Sequence, residues 1–179
     1  MLIRKFKTFL LRLGAKRALR DARSSTVRAL AAHGGPNAKV LVVCHGNIYR
    51  SPLVAARLRE LLGPGRVITS AGFHPKGDRP SPQAHIDMSG RFGVDLSQHR
   101  SRVVSEADFA AADLIVFMDR RNWVSLKRAE ADESKFVWLG AMGPNPMEIP
   151  DPYEMDPVAA EAIVERLLLC TEELAKRLA

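Results

Sequence analysis

The sequence predicts an α/β fold built on a four-stranded parallel sheet flanked by helices, preceded by a basic amphipathic extension. Three observations predict it. Short apolar runs recur at KVLVV (39–43), RVITS (66–70), DLIVFM (113–118) and KFVWL (135–139). Segments with helical start and stop signals alternate with them, the pattern of a parallel sheet joined by crossover helices. A chain of 179 residues, 46% hydrophobic, has enough apolar material for one proper core.

Taken in order, residues 1–25 place apolar side chains at 2, 6, 9 and 13, with 3 and 10 beside them. Basic residues at 4, 5, 7, 12, 16, 17 and 20 fill much of the remainder, the pattern of a basic amphipathic helix. Arg12 interrupts the apolar run too early for a membrane span or a signal peptide. A solvated arm, a segment lying on an anionic membrane, a contact for an acidic partner and an organelle transit peptide all fit that pattern. AAHGGPN (31–37) reads as the linker that ends it. The first strand, 39–43, leads through a short polar loop to a helix over 51–62, with Pro52 in its first turn and Gly63 past its end. After the second strand, a helix is expected over 81–91, started by Ser81 and Pro82. A short helix over 105–112 carries Ser105 and Asp108 in a capping-box arrangement. The third strand passes into a helix over 119–130 capped by Asp119. After the fourth strand comes GPNPMEIPDPYEMDP (143–157), a proline-rich stretch without periodicity and long enough to suggest function. A final helix over 156–178 carries apolar positions 163, 167, 170, 174 and 178.

Charge divides the chain at the linker. Residues 1–38 hold nine Lys/Arg against Asp21 alone, a balance of +8. Residues 39–179 hold 18 basic and 19 acidic residues, a balance of −1. The basic excess belongs to the extension (1–38), and the main domain (39–179) shows no sign of nucleic-acid binding. Cys44 and Cys170 lie far apart, and the five histidines show no ligand spacing, so neither a disulfide framework nor a metal site is expected. A reducing, cytoplasmic setting is the default.

The chemistry sits in VLVVCHGNIYRSP (40–52). Cys44 ends the first strand at the carboxyl edge of the sheet, where ligands bind in open α/β folds. Gly46 and Asn47 tolerate left-handed backbone, so the turn can aim successive N–H groups into one concavity beside a helix N-terminus. A thiol facing that concavity and Arg50 favours the thiolate, a good nucleophile. Arg50 offers a planar fork for two phosphate oxygens, and Ser51 can hydrogen-bond the sulfur and help it leave. Phosphoryl transfer through cysteinyl phosphate fits these groups. A lone cysteine after a strand also fits a small buried hydrophobe, and C-x5-R alone is a weak pattern. The full string C-x-G-N-x-x-R-S-P between strand and helix is far more specific.

VCHGNIYRSP resembles the active-site loop of the low-molecular-weight protein tyrosine phosphatases. SAGF (70–73), GVDLSQHRSR (93–102), ADLIVFMDRRN (112–122) and PDPYEMD (150–156) follow in that family's order, extending the resemblance over about residues 39–178. It implies the four-stranded parallel fold and hydrolysis of phosphotyrosine without metal or cofactor. Cys44 would be the nucleophile, Arg50 the phosphate ligand, and Asp151 of the D-P-Y motif the acid that protonates the leaving phenolate. His45, Gly46, Asn47, Ile48, Tyr49 and Ser51 would line the substrate site. Tyr153 would wall it against an aromatic ring, and Asn47 would hold the loop with Ser70 as one partner. Asp156 better suits the cap of the last helix.

Two positions depart from the family. Tyr49 stands where many members carry a second cysteine, so oxidation of Cys44 should be easy and poorly reversible. Phe92 stands where a histidine often joins the loop network, which puts the hold on Asn47 in question. The arsenate-reducing relatives need two further cysteines, and only Cys170 remains. Phosphoarginine phosphatases carry threonine where Ile48 stands, and a non-catalytic phosphotyrosine-binding module would have lost Cys44, Arg50 or Asp151. The expected partner is a phosphotyrosine protein such as a tyrosine kinase, with an anionic membrane surface open to residues 1–30 and no nucleic acid. Family members in bacteria often oppose kinases that control polysaccharide export. Trp123 and Trp138 are expected in packing, His85 and His99 at the surface or in turns, and Asp119 as a helix cap.

Overall fold

The computed structural model describes residues 2–179, with side chains from residue 9 onward, so the apolar and basic positions expected at 2–7 lie outside the described side chains. The parallel sheet runs in the order β2-β1-β3-β4. Its strands are β1 (Val40–Cys44), β2 (Ile68–Gly72), β3 (Leu114–Phe117) and β4 (Phe136–Trp138). All but Thr69 of their residues are buried, as strands covered on both faces should be. The helices are α1 (Leu2–Arg20), α2 (Ala22–His33), α3 (Arg50–Leu62), α4 (Gln83–Arg91), α5 (Glu106–Ala111), α6 (Arg120–Arg128) and α7 (Pro157–Leu178).

The alternation of side chains along each strand divides the core in two. Val40, Val42, Cys44, Leu114, Val116 and Val137 face one layer, with Leu53 and Leu58 of α3 and Val164, Leu167 and Leu174 of α7. Leu41, Val43, Ile115, Phe117, Phe136 and Trp138 face the other, with Ala15 of α1, Phe109 of α5 and Trp123 and Leu126 of α6. Cys170 is buried in the first layer, and burial pushes its thiol up.

The expected elements all form, with displaced ends. β2 lies two residues later than RVITS suggests, because its register pairs Ile68 with Val40 and Gly72 with Cys44. The fourth helix starts at Gln83 instead of 81, since Pro82 is extended (φ −57°, ψ 140°). Ser105 and Asp108 form the capping box, and Asp119 and Asp156 cap α6 and α7. The largest difference is in the extension. Residues 31–33 belong to a helix, the linker begins at Gly34, and α1 and α2 pack against the sheet layers. The Thr26 hydroxyl accepts the Trp138 N–H at 3.0 Å, covering an outward donor of the edge strand β4. Among the described residues, no helix is long and apolar enough to cross a membrane.

Candidate functional site

β1 delivers Cys44 to the carboxyl edge of the sheet, and residues 45–49 turn the chain into α3, which starts at Arg50. The turn is possible because Asn47 adopts left-handed backbone (φ 50°). It also needs Gly72: a Cβ there would lie 2.8 Å from the His45 carbonyl and 2.9 Å from the Asn47 nitrogen.

The loop carbonyls are tied outward. His74 N–H donates to His45 O at 2.8 Å. Arg79 donates to Gly46 O at 2.6 Å, His99 Nε2 to Asn47 O at 2.7 Å, and His85 Nε2 to Tyr49 O at 2.9 Å. A peptide whose oxygen is pulled one way points its N–H the other way. Asn47 N–H donates to Cys44 Sγ at 3.2 Å, and no group among the described residues accepts the N–H of Gly46, Ile48 or Tyr49. The result is a concavity of donors around the sulfur, at the N-terminus of α3. The Ser51 hydroxyl lies 3.0 Å from Sγ.

Asn47 locks this shape. Its Nδ2 donates to Ser51 Oγ and Ser70 Oγ, both at 2.9 Å, and its Oδ1 accepts the Arg102 N–H at 2.9 Å. Phe92 takes no part and packs against the core layer of α3 and α7, so the histidine missing at 92 leaves Asn47 fully partnered.

Arg50 is 1% exposed. NH1 donates to Asp119 Oδ2 at 2.6 Å and to the Ile149 carbonyl at 3.1 Å, which uses both its hydrogens. NH2 donates to Asp151 Oδ2 at 2.7 Å. The buried Nε has no partner among the described residues. One NH2 hydrogen and the Nε hydrogen therefore remain. Burial alone would loosen the guanidinium's proton, but the charges of Asp119, Cys44 and Asp151 outweigh it and raise Arg50 above the ordinary arginine value.

The expected residues are thus brought together, with three corrections. The Tyr49 side chain does not line the site: its ring is buried and stacked on His85 with centroids 3.5 Å apart. Burial first, and the Asp151 charge second, hold its hydroxyl above the usual phenol range. His85 is neither at the surface nor in a turn but buried in α4, whereas His99 stands at the end of a turn as expected, half-buried; both clamp the loop. Asp119 caps α6 through Asn122 N–H at 2.7 Å and also grips Arg50. His45 and Tyr153 are exposed, and Ile48 and Asp151 are half-buried. Sequence reasoning also missed Arg79. A lone histidine or arginine in a loop carries no signal of what it will clamp.

Burial pushes His85 down to about 4, against the pull of the Tyr49 carbonyl, and also lowers His99. The neutral ring is the form that fits, so between about pH 4 and the ordinary 6.5 the unfolded chain takes protons that the fold refuses. Stability should be full above about pH 6.5 and fall as pH drops toward 4. The gap corresponds to roughly 3 kcal/mol for His85, at about 1.4 kcal/mol per pH unit. Urea midpoints at pH 7.5 and 5.0 read it, with His85→Gln showing the smaller drop. An equal drop in both proteins would remove His85 as the cause.

Comparison with known proteins places the chain. The family model described as low molecular weight phosphotyrosine protein phosphatase matches residues 39–179. The probable low molecular weight protein-tyrosine-phosphatase EpsP of Ralstonia nicotianae is 33% identical over 129 residues, covering 72% of this chain and 87% of that protein. The low molecular weight protein-tyrosine-phosphatase Etp of Escherichia coli is 32% identical over 139 residues, covering 78% and 93%. Among solved structures, the tyrosine phosphatase Wzb from Escherichia coli K30 in complex with sulphate superposes with a TM-score of 0.74 at 30% identity. It covers 80% of this chain and 99% of that one.

Proposed function

Since this chain belongs to the low molecular weight phosphotyrosine protein phosphatase family, we propose that it hydrolyses phosphotyrosine in proteins through a cysteinyl-phosphate intermediate, with Cys44 as nucleophile. The observation that carries the reading is the outward tying of the loop carbonyls, which leaves N–H donors around Cys44 Sγ and, beside them, one edge of Arg50 without a partner. Wzb is seen in complex with sulphate, a tetrahedral anion like phosphate, which supports the reading.

The phosphate oxygens occupy the N–H groups of Gly46, Ile48 and Arg50, whose peptides have their carbonyls tied outward, and the Nε–NH2 edge of Arg50, a charge-assisted two-point contact. The Cys44 sulfur attacks phosphorus in line with the tyrosyl oxygen. The S–P bond forms, the P–O bond breaks, and Asp151 gives its proton to the leaving phenolate. In the second step Asp151 takes a proton from water, whose oxygen attacks phosphorus. The S–P bond breaks, Ser51 hydrogen-bonds the departing sulfur, and inorganic phosphate leaves. Tyr153 and His45 flank the substrate ring. No metal or cofactor enters either step.

Ile48 offers hydrocarbon and no hydroxyl at the loop tip, which favours phosphotyrosine over phosphoarginine. Turnover separates an enzyme from a phosphotyrosine-binding module. The proposed setting is the cytoplasm, the partner a phosphotyrosine protein such as a tyrosine kinase, and residues 1–30 a contact to an anionic membrane.

The test is hydrolysis of p-nitrophenyl phosphate and phenyl phosphate in EDTA with fresh reductant. The wild type should turn over both. Asp151→Asn should lower kcat by roughly 10²–10³-fold on phenyl phosphate and less on p-nitrophenyl phosphate, whose leaving group needs little protonation. Equal losses on the two substrates would remove Asp151 as the acid. A folded wild type that releases no phosphate would give the reading to the binding module.

A further inference from the structure

α1 does not turn its stripe of large apolar residues toward the protein. At about 100° per residue, Leu11, Gly14, Ala15, Ala18 and Leu19 share one side. That side faces the protein: Ala15 is buried in the layer of Trp123, Leu11, Ala18 and Leu19 pack against it, and a Cβ on Gly14 would lie 3.1 Å from the Trp123 ring. The large apolar residues point away. Phe9, Leu10 and Leu13 are 55%, 49% and 47% exposed. Arg12, Lys16, Arg17 and Arg20 are exposed around and beyond them and form no ion pair among the described residues.

We propose that this outer face of α1 docks on an anionic lipid bilayer, with Phe9, Leu10 and Leu13 entering the headgroup boundary and Arg12, Lys16, Arg17 and Arg20 meeting lipid phosphates. Charge favours a bilayer over other occupants of the three exposed apolar side chains. Cations border them without one acidic residue in 1–20, matching an anionic sheet of charge. A second copy docking face to face would bring its own +8 extension against this one.

The inner side of α1 rests on Trp123 of α6, and the cap of α6, Asp119, holds Arg50. A bilayer on the outer side is then two packed helices away from that anchor. The enzyme would meet phosphotyrosine close to an anionic membrane. This consequence for substrate rests on the phosphatase reading, whereas the docking does not.

The experiment is sedimentation of the full chain with vesicles of phosphatidylcholine alone or with about 30% phosphatidylserine. Wild type, Arg12→Glu/Lys16→Glu and Phe9→Ser/Leu13→Ser are compared, each checked by helical circular dichroism and p-nitrophenyl phosphate turnover. Wild type should prefer the anionic vesicles at least about tenfold and lose that preference as salt rises. Both variants should lose about tenfold or more with turnover unchanged. In a second arm, a phosphotyrosyl peptide anchored to the anionic vesicles should be hydrolysed faster than the free peptide by wild type and not by the charge variant. No binding at low salt, or equal binding to both vesicles, would overturn the docking. So would concentration-dependent dimerisation that the same variants abolish without any vesicle binding. If no protein turns over substrate but vesicle binding behaves as described, the phosphatase reading fails and the docking stands.

Discussion

Cys44→Ser should abolish turnover, lowering kcat by at least about 10⁴-fold, while leaving the site able to bind phosphate. The substitution changes one atom at a position that is 2% exposed. The donors around it come from backbone N–H groups and from Arg50, and these are held by Asn47, His85, His99 and Asp119, not by the sulfur. A hydroxyl in the same place keeps the anion site and loses the nucleophile. Phosphate binding by calorimetry should therefore survive with a Kd within a few-fold of wild type, and no burst of p-nitrophenol should appear. Residual activity above about one part in a hundred would mean that another group attacks phosphorus. A collapse of phosphate binding together with activity would mean that the sulfur holds the loop as well.

Arg50→Lys should be nearly as damaging, through two losses that can be measured separately. Arg50 holds the fold with NH1, on Asp119 and Ile149 O, and with one hydrogen of NH2, on Asp151. Nε and the other NH2 hydrogen have no partner among the described residues and are the pair proposed for the anion. Lysine has three hydrogens on a single atom, so it cannot grip Asp119 and Ile149 and still present a fork. kcat/KM should fall by roughly 10³-fold, and a half-paired buried Asp119 should cost about 3 kcal/mol. For a domain of this size that corresponds to a drop in Tm of roughly 6–12 °C. An unchanged Tm with a loss of activity below tenfold would show that the arginine does not carry both tasks.

Much of this was legible in the sequence. Apolar runs placed the four strands, and cap residues such as Ser105, Asp119 and Asp156 placed helix starts closely, because both signals are local. β2 was misplaced because Gly72 reads as a turn residue. Its lack of a side chain is what lets the strand end approach the loop. The string from Cys44 to Pro52 and the D-P-Y motif pointed to groups that the fold does bring together, with Asn47 N–H on the Cys44 sulfur and Arg50 on Asp151. Their support was not legible, since His85 and His99 act 36 and 52 residues from the carbonyls they hold, and Arg79 acts at 33. The extension misled for a different reason. Its large apolar residues drew attention to the stripe through 9 and 13, while the packed side centres on Gly14, Ala15 and Ala18 between Leu11 and Leu19, and small residues leave little periodic signal.

The clamps on the loop have a consequence for how activity is acquired during folding. Asn47, Tyr49 and Arg50 are held by partners from 23 to 101 residues away in sequence. Closing contacts over such spans is entropically costly, and each clamp comes from a different segment. Helices and strand pairs can form before these spans close, but the donor concavity cannot. Catalytic competence is therefore a property of the complete chain topology, and loosening any one of several remote segments disperses the site without touching Cys44.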